Sequence, residues 1–192
     1  MTGGLLLTGG VSRRMGFDKA ELRLDGERLA DRAARVLLEV CEPVLEVGPG
    51  RSALTAIREQ TPGEGPLVAM VAGAEALPPG GAGGLMLLLA VDLPFAPATL
   101  LQWLADRPGD ATVVPTDVGG APQPCCARYS RDAIEAAARL VADGHRSLRS
   151  LLEATAVDLV GPEEWTRVAE PNALDDVDTP EDVTRLGLEP PA

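Results

Sequence analysis

The chain has 192 residues, of which 45% are hydrophobic, which suits one domain with a sizeable core. Lys and Arg number 17 against 29 Asp and Glu, and the net charge of −12 argues against a nucleic-acid partner. The longest apolar run, residues 85–91, falls far short of the roughly 20 residues that a membrane-spanning helix needs. The N-terminus also lacks a signal-peptide pattern, so we expect a cytoplasmic protein without a membrane partner.

Strands and helices alternate along the chain. An apolar run at 5–8 predicts a strand that ends in a glycine loop, and a helix over 29–40 and a strand over 44–47 follow. Residues 53–58 fit either a short helix or a weak strand. Further on, the predicted elements are a helix from Gly65 to residue 76, a strand at 86–91, a helix at 98–104, strands at 111–114 and 124–129, helices at 132–142 and 147–152, strands at 157–160 and 165–168, and a last helix that Thr179 caps.

This alternation predicts an α/β fold, a Rossmann-like three-layer sandwich with a mostly parallel mixed sheet. We expect residues 1–188 to form a single domain and 189–192 a flexible tail. Ligands of such sheets bind beyond the carboxyl ends of the strands, so residues 8–19, 48–51 and 92–95 and the segment before Thr179 are the places to look.

Cysteine and histidine offer little chemistry. The chain has three cysteines and one histidine, which is too few for a disulfide framework, a zinc site or a Ser-His-Asp triad. The sequence assigns no role to Cys125, Cys126 or His145.

The glycine loop after the first strand is the strongest signal. It reads Leu7-Thr8-Gly9-Gly10-Val11-Ser12-Arg13-Arg14-Met15-Gly16-Phe17-Asp18-Lys19. Glycines let backbone N–H groups approach a polyanion, and three cationic side chains in one loop of an acidic protein indicate a phosphate site. The loop contains Lys19, the single lysine of a chain that otherwise uses arginine. This indicates either that position 19 needs a compact ammonium group or that the lysine is there by chance. The loop is neither a Walker A nor a dinucleotide-binding sequence, and a plain glycine turn with solvated arginines would explain its first half alone.

This loop resembles the signature of the molybdenum cofactor guanylyltransferase-like (MobA-like) nucleotidyltransferase family. Three more segments are similar to family motifs in order and spacing, so the resemblance covers about residues 3–187. They are Gly65-Pro66-Leu67, Asp92-Leu93-Pro94-Phe95 and Asp176-Val177-Asp178-Thr179-Pro180-Glu181-Asp182.

The resemblance implies GMP transfer from GTP to a molybdopterin-type acceptor, with Mg²⁺ as cofactor and pyrophosphate as product. It implies catalytic roles for Lys19, Arg14 and Asp92, and a metal site at Asp92 and Asp178. The residues that it places at the nucleotide are Leu7, Thr8, Gly9, Gly10, Ser12, Arg13, Lys19, Gly48, Gln60, Gly65 and Pro66. A monomer or small homo-oligomer is expected.

Simpler interpretations stay open for several of these residues. Asp92 could be a turn residue, the acidic run at 175–178 a solvated helix cap, and Gly65-Pro66 a helix start alone. Gly48 stands where the family usually has an asparagine, and Gln60 where an acidic residue is common. The alternatives are therefore cytidylyl or other NMP transfer to a different phosphorylated acceptor, or a non-catalytic nucleotide-binding protein.

Overall fold

Short strands, most of them apolar and buried, form one large sheet. The computed structural model describes residues 2–9, 16–58, 63–78 and 84–191. Its strands are β1 (Gly3–Leu7), β2 (Arg23–Leu24), β3 (Glu27–Arg28), β4 (Val44–Val47), β5 (Thr55–Ile57), β6 (Met86–Ala90), β7 (Thr112–Pro115), β8 (Cys126–Tyr129) and β9 (Val157–Val160). Its helices are α1 (Leu29–Leu38), α2 (Pro66–Ala76), α3 (Ala98–Ala105), α4 (Arg131–Ala142), α5 (Leu148–Ala154), α6 (Pro162–Trp165) and α7 (Pro180–Arg185).

The large sheet has seven strands in the order β5-β4-β1-β6-β8-β7-β9. Strand β8 pairs antiparallel with both of its neighbours, and the other pairs are parallel. The predicted mixed, mostly parallel sheet is therefore confirmed. Because β1, β4 and β6 are adjacent and parallel, the loops that follow them meet at one edge of the sheet.

Each face of the sheet is covered by its own apolar cluster. Successive strand residues point to opposite faces, so Leu6, Leu87 and Leu89 pack with α1 and α3, whereas Leu5 and Leu88 pack with α2 and α4. The central strands β1 and β6 are buried along their whole length, as expected of strands covered on both sides. The three-layer sandwich predicted from the sequence is thus confirmed.

The structure differs from the expectations in three places. Residues 165–168 are not a strand, because Pro162 and two glutamates after it begin the short helix α6, and Trp165 ends that helix. A hairpin of β2 and β3, with Asp25 and Gly26 at positive φ in its turn, was not predicted. The tail does not begin at residue 189, since Glu189 and Arg23 exchange two backbone hydrogen bonds of 2.8 and 2.9 Å.

The ambiguous segment at 53–58 contains strand β5, which extends the sheet beside β4. Across the described ranges, no helix combines the length and the apolar character needed to cross a membrane.

Candidate functional site

Lys19 is held at the carboxyl edge of the sheet by a short 3-10 turn, Lys19–Glu21. Asp18 caps this turn, because its Oδ1 accepts a hydrogen bond of 3.0 Å from the N–H of Ala20. The other oxygen of Asp18 accepts a 2.8 Å bond from Nε of Arg51, in the loop after β4. The turn that carries the lysine is therefore tied to a second loop of the same edge.

The Lys19 ammonium lies between two carboxylates from distant parts of the chain. Its Nζ is 2.6 Å from Oδ1 of Asp178 and 3.4 Å from Oδ2 of Asp92. The Lys19 side chain is 16% exposed and that of Asp92 29%, whereas Asp178 is 60% exposed. The structure thus brings together three of the residues that the sequence predicts for the site.

Backbone hydrogen bonds and a helix cap hold the two carboxylates in place. Asp92 lies two residues after the end of β6, and its backbone carbonyl oxygen accepts a 3.0 Å hydrogen bond from the N–H of Val177. Asp178 precedes α7, where Thr179 and Asp182 form a capping box, and Asp182 also accepts from the N–H of Asp178 at 3.2 Å. The cap predicted at Thr179 is confirmed, and it places Asp178 against Lys19.

Burial and charge act against each other in this group. Burial raises the pKa of Asp92, the Lys19 charge lowers it, Asp178 raises it again, and the net shift is upward. Burial lowers the pKa of Lys19, but Asp92 and the hydrogen bond to Asp178 outweigh burial, so this pKa is raised and the ammonium stays charged. Burial also raises the pKa of Asp176, together with the charges of Asp178 and Asp92. Three carboxylates, those of Asp92, Asp176 and Asp178, therefore act on one another beside a single lysine.

No cluster of three or more His, Cys, Asp or Glu side chains placed to hold a metal ion is found in the ranges 2–9, 16–58, 63–78 and 84–191. Asp92 and Asp178 are instead a pair. Proteins often bind Mg²⁺ through one or two carboxylates while substrate phosphates and water complete its coordination, so a pair suffices for a nucleotide-dependent metal site.

Backbone hydrogen bonds join the ends of β1, β4 and β6. The N–H groups of Thr8 and Gly9 both donate to the carbonyl of Val47, at 3.1 and 3.3 Å, and the carbonyl of Leu7 accepts from Val91 at 3.0 Å. Gly48 is buried with φ at 151°, and a Cβ there would lie 2.3 Å from the Thr8 hydroxyl oxygen. On this backbone a side chain at position 48 does not fit beside Thr8 and Gly9.

Glu46 belongs to this region and was not predicted. It lies fully buried in β4, yet its carboxylate accepts hydrogen bonds from the Thr8 hydroxyl and from the loop at 50–52. Burial raises the pKa of Glu46, but the bonds from Ser52, Thr8 and Arg51 outweigh that effect and leave it lowered. The signal that sequence reasoning overlooked is a lone charged residue inside an apolar strand.

Gly65 and Pro66 begin α2, as predicted, and Gly65 has a φ of 116°. A Cβ on Gly65 would lie 2.5 Å from the carbonyl oxygen of Arg146, which also accepts from the N–H of Leu67. Packing against Arg146 accounts for this glycine, so the structure brings neither Gly65 nor Pro66 into the Lys19 group. The predicted site residues Gly10, Ser12, Arg13, Arg14 and Gln60 lie outside the described residues.

Comparison with known proteins identifies the group that this architecture belongs to. The family model described as "MobA-like NTP transferase domain" matches residues 4–159. A probable molybdenum cofactor guanylyltransferase of Chloroflexus aggregans is 34% identical, covering 95% of this chain and 92% of that protein. A protein of Opitutus terrae with the same description is 36% identical, covering 91% and 92%.

The fold is found in solved structures as well. The crystal structure of molybdopterin-guanine dinucleotide biosynthesis protein A from Archaeoglobus fulgidus superimposes with a TM-score of 0.79 over 96% of each chain, at 22% identity. With its glycine loop, its Lys19–Asp92–Asp178 group and these relatives, the chain belongs to the MobA-like NTP transferase family.

Proposed function

We propose that the protein transfers GMP from GTP to a molybdopterin-type acceptor and releases pyrophosphate. The relatives' descriptions name this class of reaction. The observation that carries the proposal is the Lys19 ammonium held by Asp92 and Asp178 where the parallel strands end. A cation-binding carboxylate pair beside a fixed lysine is the equipment that phosphoryl chemistry on a triphosphate requires.

The donor set fits a magnesium ion. Asp92 and Asp178 both direct a carboxylate oxygen at the same ammonium, so their oxygens converge, and oxygen is the ligand that Mg²⁺ prefers. We therefore propose Asp92 and Asp178 as the residues that hold Mg²⁺. The ion, when bound, neutralises charge on the triphosphate.

The chain's own residues bind and orient the substrates. Lys19 contacts phosphate oxygens of GTP and offsets the charge that develops on the leaving pyrophosphate. An acceptor phosphate is already anionic, so the in-line attack on the α-phosphorus needs no strong general base. Nothing in the proposed site therefore calls for a catalytic histidine or cysteine.

The nucleotide lies along the loops that follow β1 and β4 in this proposal. We propose that Arg14 assists Lys19 at the phosphates and that residues 1–188 act as one nucleotidyltransferase domain. The remaining residues that we propose at the nucleotide are Leu7, Thr8, Gly9, Gly10, Ser12, Arg13, Gly48, Gln60, Gly65 and Pro66.

The test has two parts. Competition binding of the four nucleoside triphosphates with Mg²⁺ should show GTP preferred over CTP and ATP by about tenfold, or 1.4 kcal/mol. Pyrophosphate release with GTP and molybdopterin should then require Mg²⁺. A preference for CTP would indicate cytidylyl transfer, and nucleotide binding without pyrophosphate release would indicate a non-catalytic binding protein.

A further inference from the structure

The Glu46 carboxylate is a buried charge that neutral donors alone satisfy in the part of the chain that the structure describes. Its Oε1 accepts from the Thr8 hydroxyl at 2.5 Å, from the N–H of Gly50 at 2.9 Å and from that of Arg51 at 2.7 Å. Its Oε2 accepts from the N–H and the hydroxyl of Ser52, at 2.8 and 2.6 Å. Such a charge is costly to bury unless each bond is made, so it fixes the conformation of the groups around it.

These bonds decide which backbone groups of the loop at 48–52 already have a partner within the fold. Three of its N–H groups point at Glu46, that of Gly48 donates to the Ile57 carbonyl at 3.0 Å, and Pro49 has none. Every backbone donor of the loop is therefore used inside the fold. Within the described ranges no donor is seen on the carbonyl oxygens of Gly48, Pro49 or Gly50. Among the described residues, the backbone groups of the loop that have no partner are therefore carbonyl acceptors.

An edge of acceptors discriminates among nucleobases. Guanine presents two adjacent donors on its pairing edge, N1–H and the N2 amino group, which carbonyl oxygens can accept. Adenine and cytosine present an unprotonated ring nitrogen there, and a carbonyl facing that nitrogen leaves both acceptors unpaired. Unpaired buried polar groups are what make a binding site selective.

We propose that Glu46 is a positioning residue that determines base specificity, because it turns the donors of the loop at 48–52 inward and leaves carbonyl oxygens for guanine. The inference rests on the proposed function, since it requires that this loop meets the base of a nucleoside triphosphate. Glu46 acts through the loop and does not touch the base. The hydroxyl groups of Thr8 and Ser52 donate one hydrogen bond to each carboxylate oxygen and so hold Glu46 in this position.

The decisive variant is Glu46→Gln. It keeps the size of the side chain but replaces one carboxylate oxygen with an amide NH2 group, which cannot accept the hydrogen bonds that the five donors make. Competition binding with Mg²⁺ should show the GTP:CTP and GTP:ATP affinity ratios falling at least about fivefold, while kcat at saturating GTP stays within about threefold of wild type. A general structural defect would lower binding of all three nucleotides together and leave their ratios unchanged.

The control is Glu42→Gln, the same exchange at an exposed glutamate just before β4, which should keep the wild-type ratios. Ser52→Ala removes one bond to Glu46 while the loop backbone stays, and should lower the ratios by about two- to threefold. If Glu46→Gln does not fold, Ser52→Ala decides the question.

The outcomes separate the two proposals. Wild-type protein that binds no nucleoside triphosphate would overturn the proposed function and this inference with it. Wild-type protein that prefers GTP, together with a folded Glu46→Gln or Ser52→Ala variant of unchanged ratios, would overturn the inference alone.

Discussion

Replacing Lys19 with arginine tests whether the site needs an ammonium rather than any positive charge. Nζ makes contacts of 2.6 and 3.4 Å with Asp178 and Asp92, and its side chain is only 16% exposed. A guanidinium is planar and larger than an ammonium, so it cannot keep its charge at the same point between two oxygens. The net charge is unchanged in this variant, and the position of the charge is what differs.

The size of the effect follows from the hydrogen bond to phosphate that the displaced charge would weaken, because the bonds to Asp178 and Asp92 are present in the ground state as well. A hydrogen bond to a charged group contributes about 1.5–3 kcal/mol. Because Asp178 is 60% exposed, we take the low end of that range. Misplacing the charge in the transition state should therefore cost about 1.4 kcal/mol or more, which lowers kcat/KM at least tenfold.

Steady-state pyrophosphate release with GTP, Mg²⁺ and molybdopterin measures this value. The matched control is Arg139→Lys, an exchange between the same two residue types at an exposed position of α4, which should leave kcat/KM unchanged. A wild-type kcat/KM in Lys19→Arg would refute the reasoning. It would mean that the presence of a lysine at this position is a matter of chance.

Three further results are expected. Asp92→Asn should keep the fold, shown by circular dichroism, and lose Mg²⁺-dependent turnover by orders of magnitude; near-normal turnover would make Asp92 a turn residue. Glu46→Gln should lower the free energy of unfolding by about 2–3 kcal/mol at pH 7. Since the pKa of Glu46 is lowered from 4.5 in the folded state, urea titrations should show that difference shrinking as the pH falls below 4.5. Burial and, next, Asp92 raise the pKa of Cys125 to about 12, so iodoacetamide should label native protein slowly at pH 8 and unfolded protein fast; rapid native labelling would contradict this.

The main strands could be predicted because their signal is local. Strand β4 matches its prediction, and β1 and β6 differ from theirs by a few residues at most, since each is an apolar run that a glycine or Asp92 ends. The Lys19–Asp92–Asp178 group could be proposed from motifs, because strand order brings those loops to one edge. Local reasoning erred where it ignored available signals: Asp25-Gly26 indicates a hairpin turn, and Pro162 before two glutamates indicates a helix start.

The role of Glu46 could not be predicted from spacing. Its partners lie both in the following loop and at Thr8, 38 residues earlier, and the pairing of β1 with β4 alone brings them together. The sequence pattern shows only that Glu46 is a charged residue within an otherwise apolar strand. The bonds that satisfy its charge depend on the three-dimensional course of the loop after β4.

The contact between Lys19 and Asp178 spans 159 residues. The pairing of Arg23 with Glu189 connects similarly remote segments, and the bond of Val177 to Asp92 ties the same C-terminal segment to the end of β6. During translation the glycine loop and β6 leave the ribosome long before the segment at 176–189 is synthesised. The carboxylate pair is therefore assembled only when that segment docks. A nascent chain stopped before residue 176 could form most of the sheet but would lack Asp178. Activity should therefore appear only when the last helix has docked, and not when the core has formed.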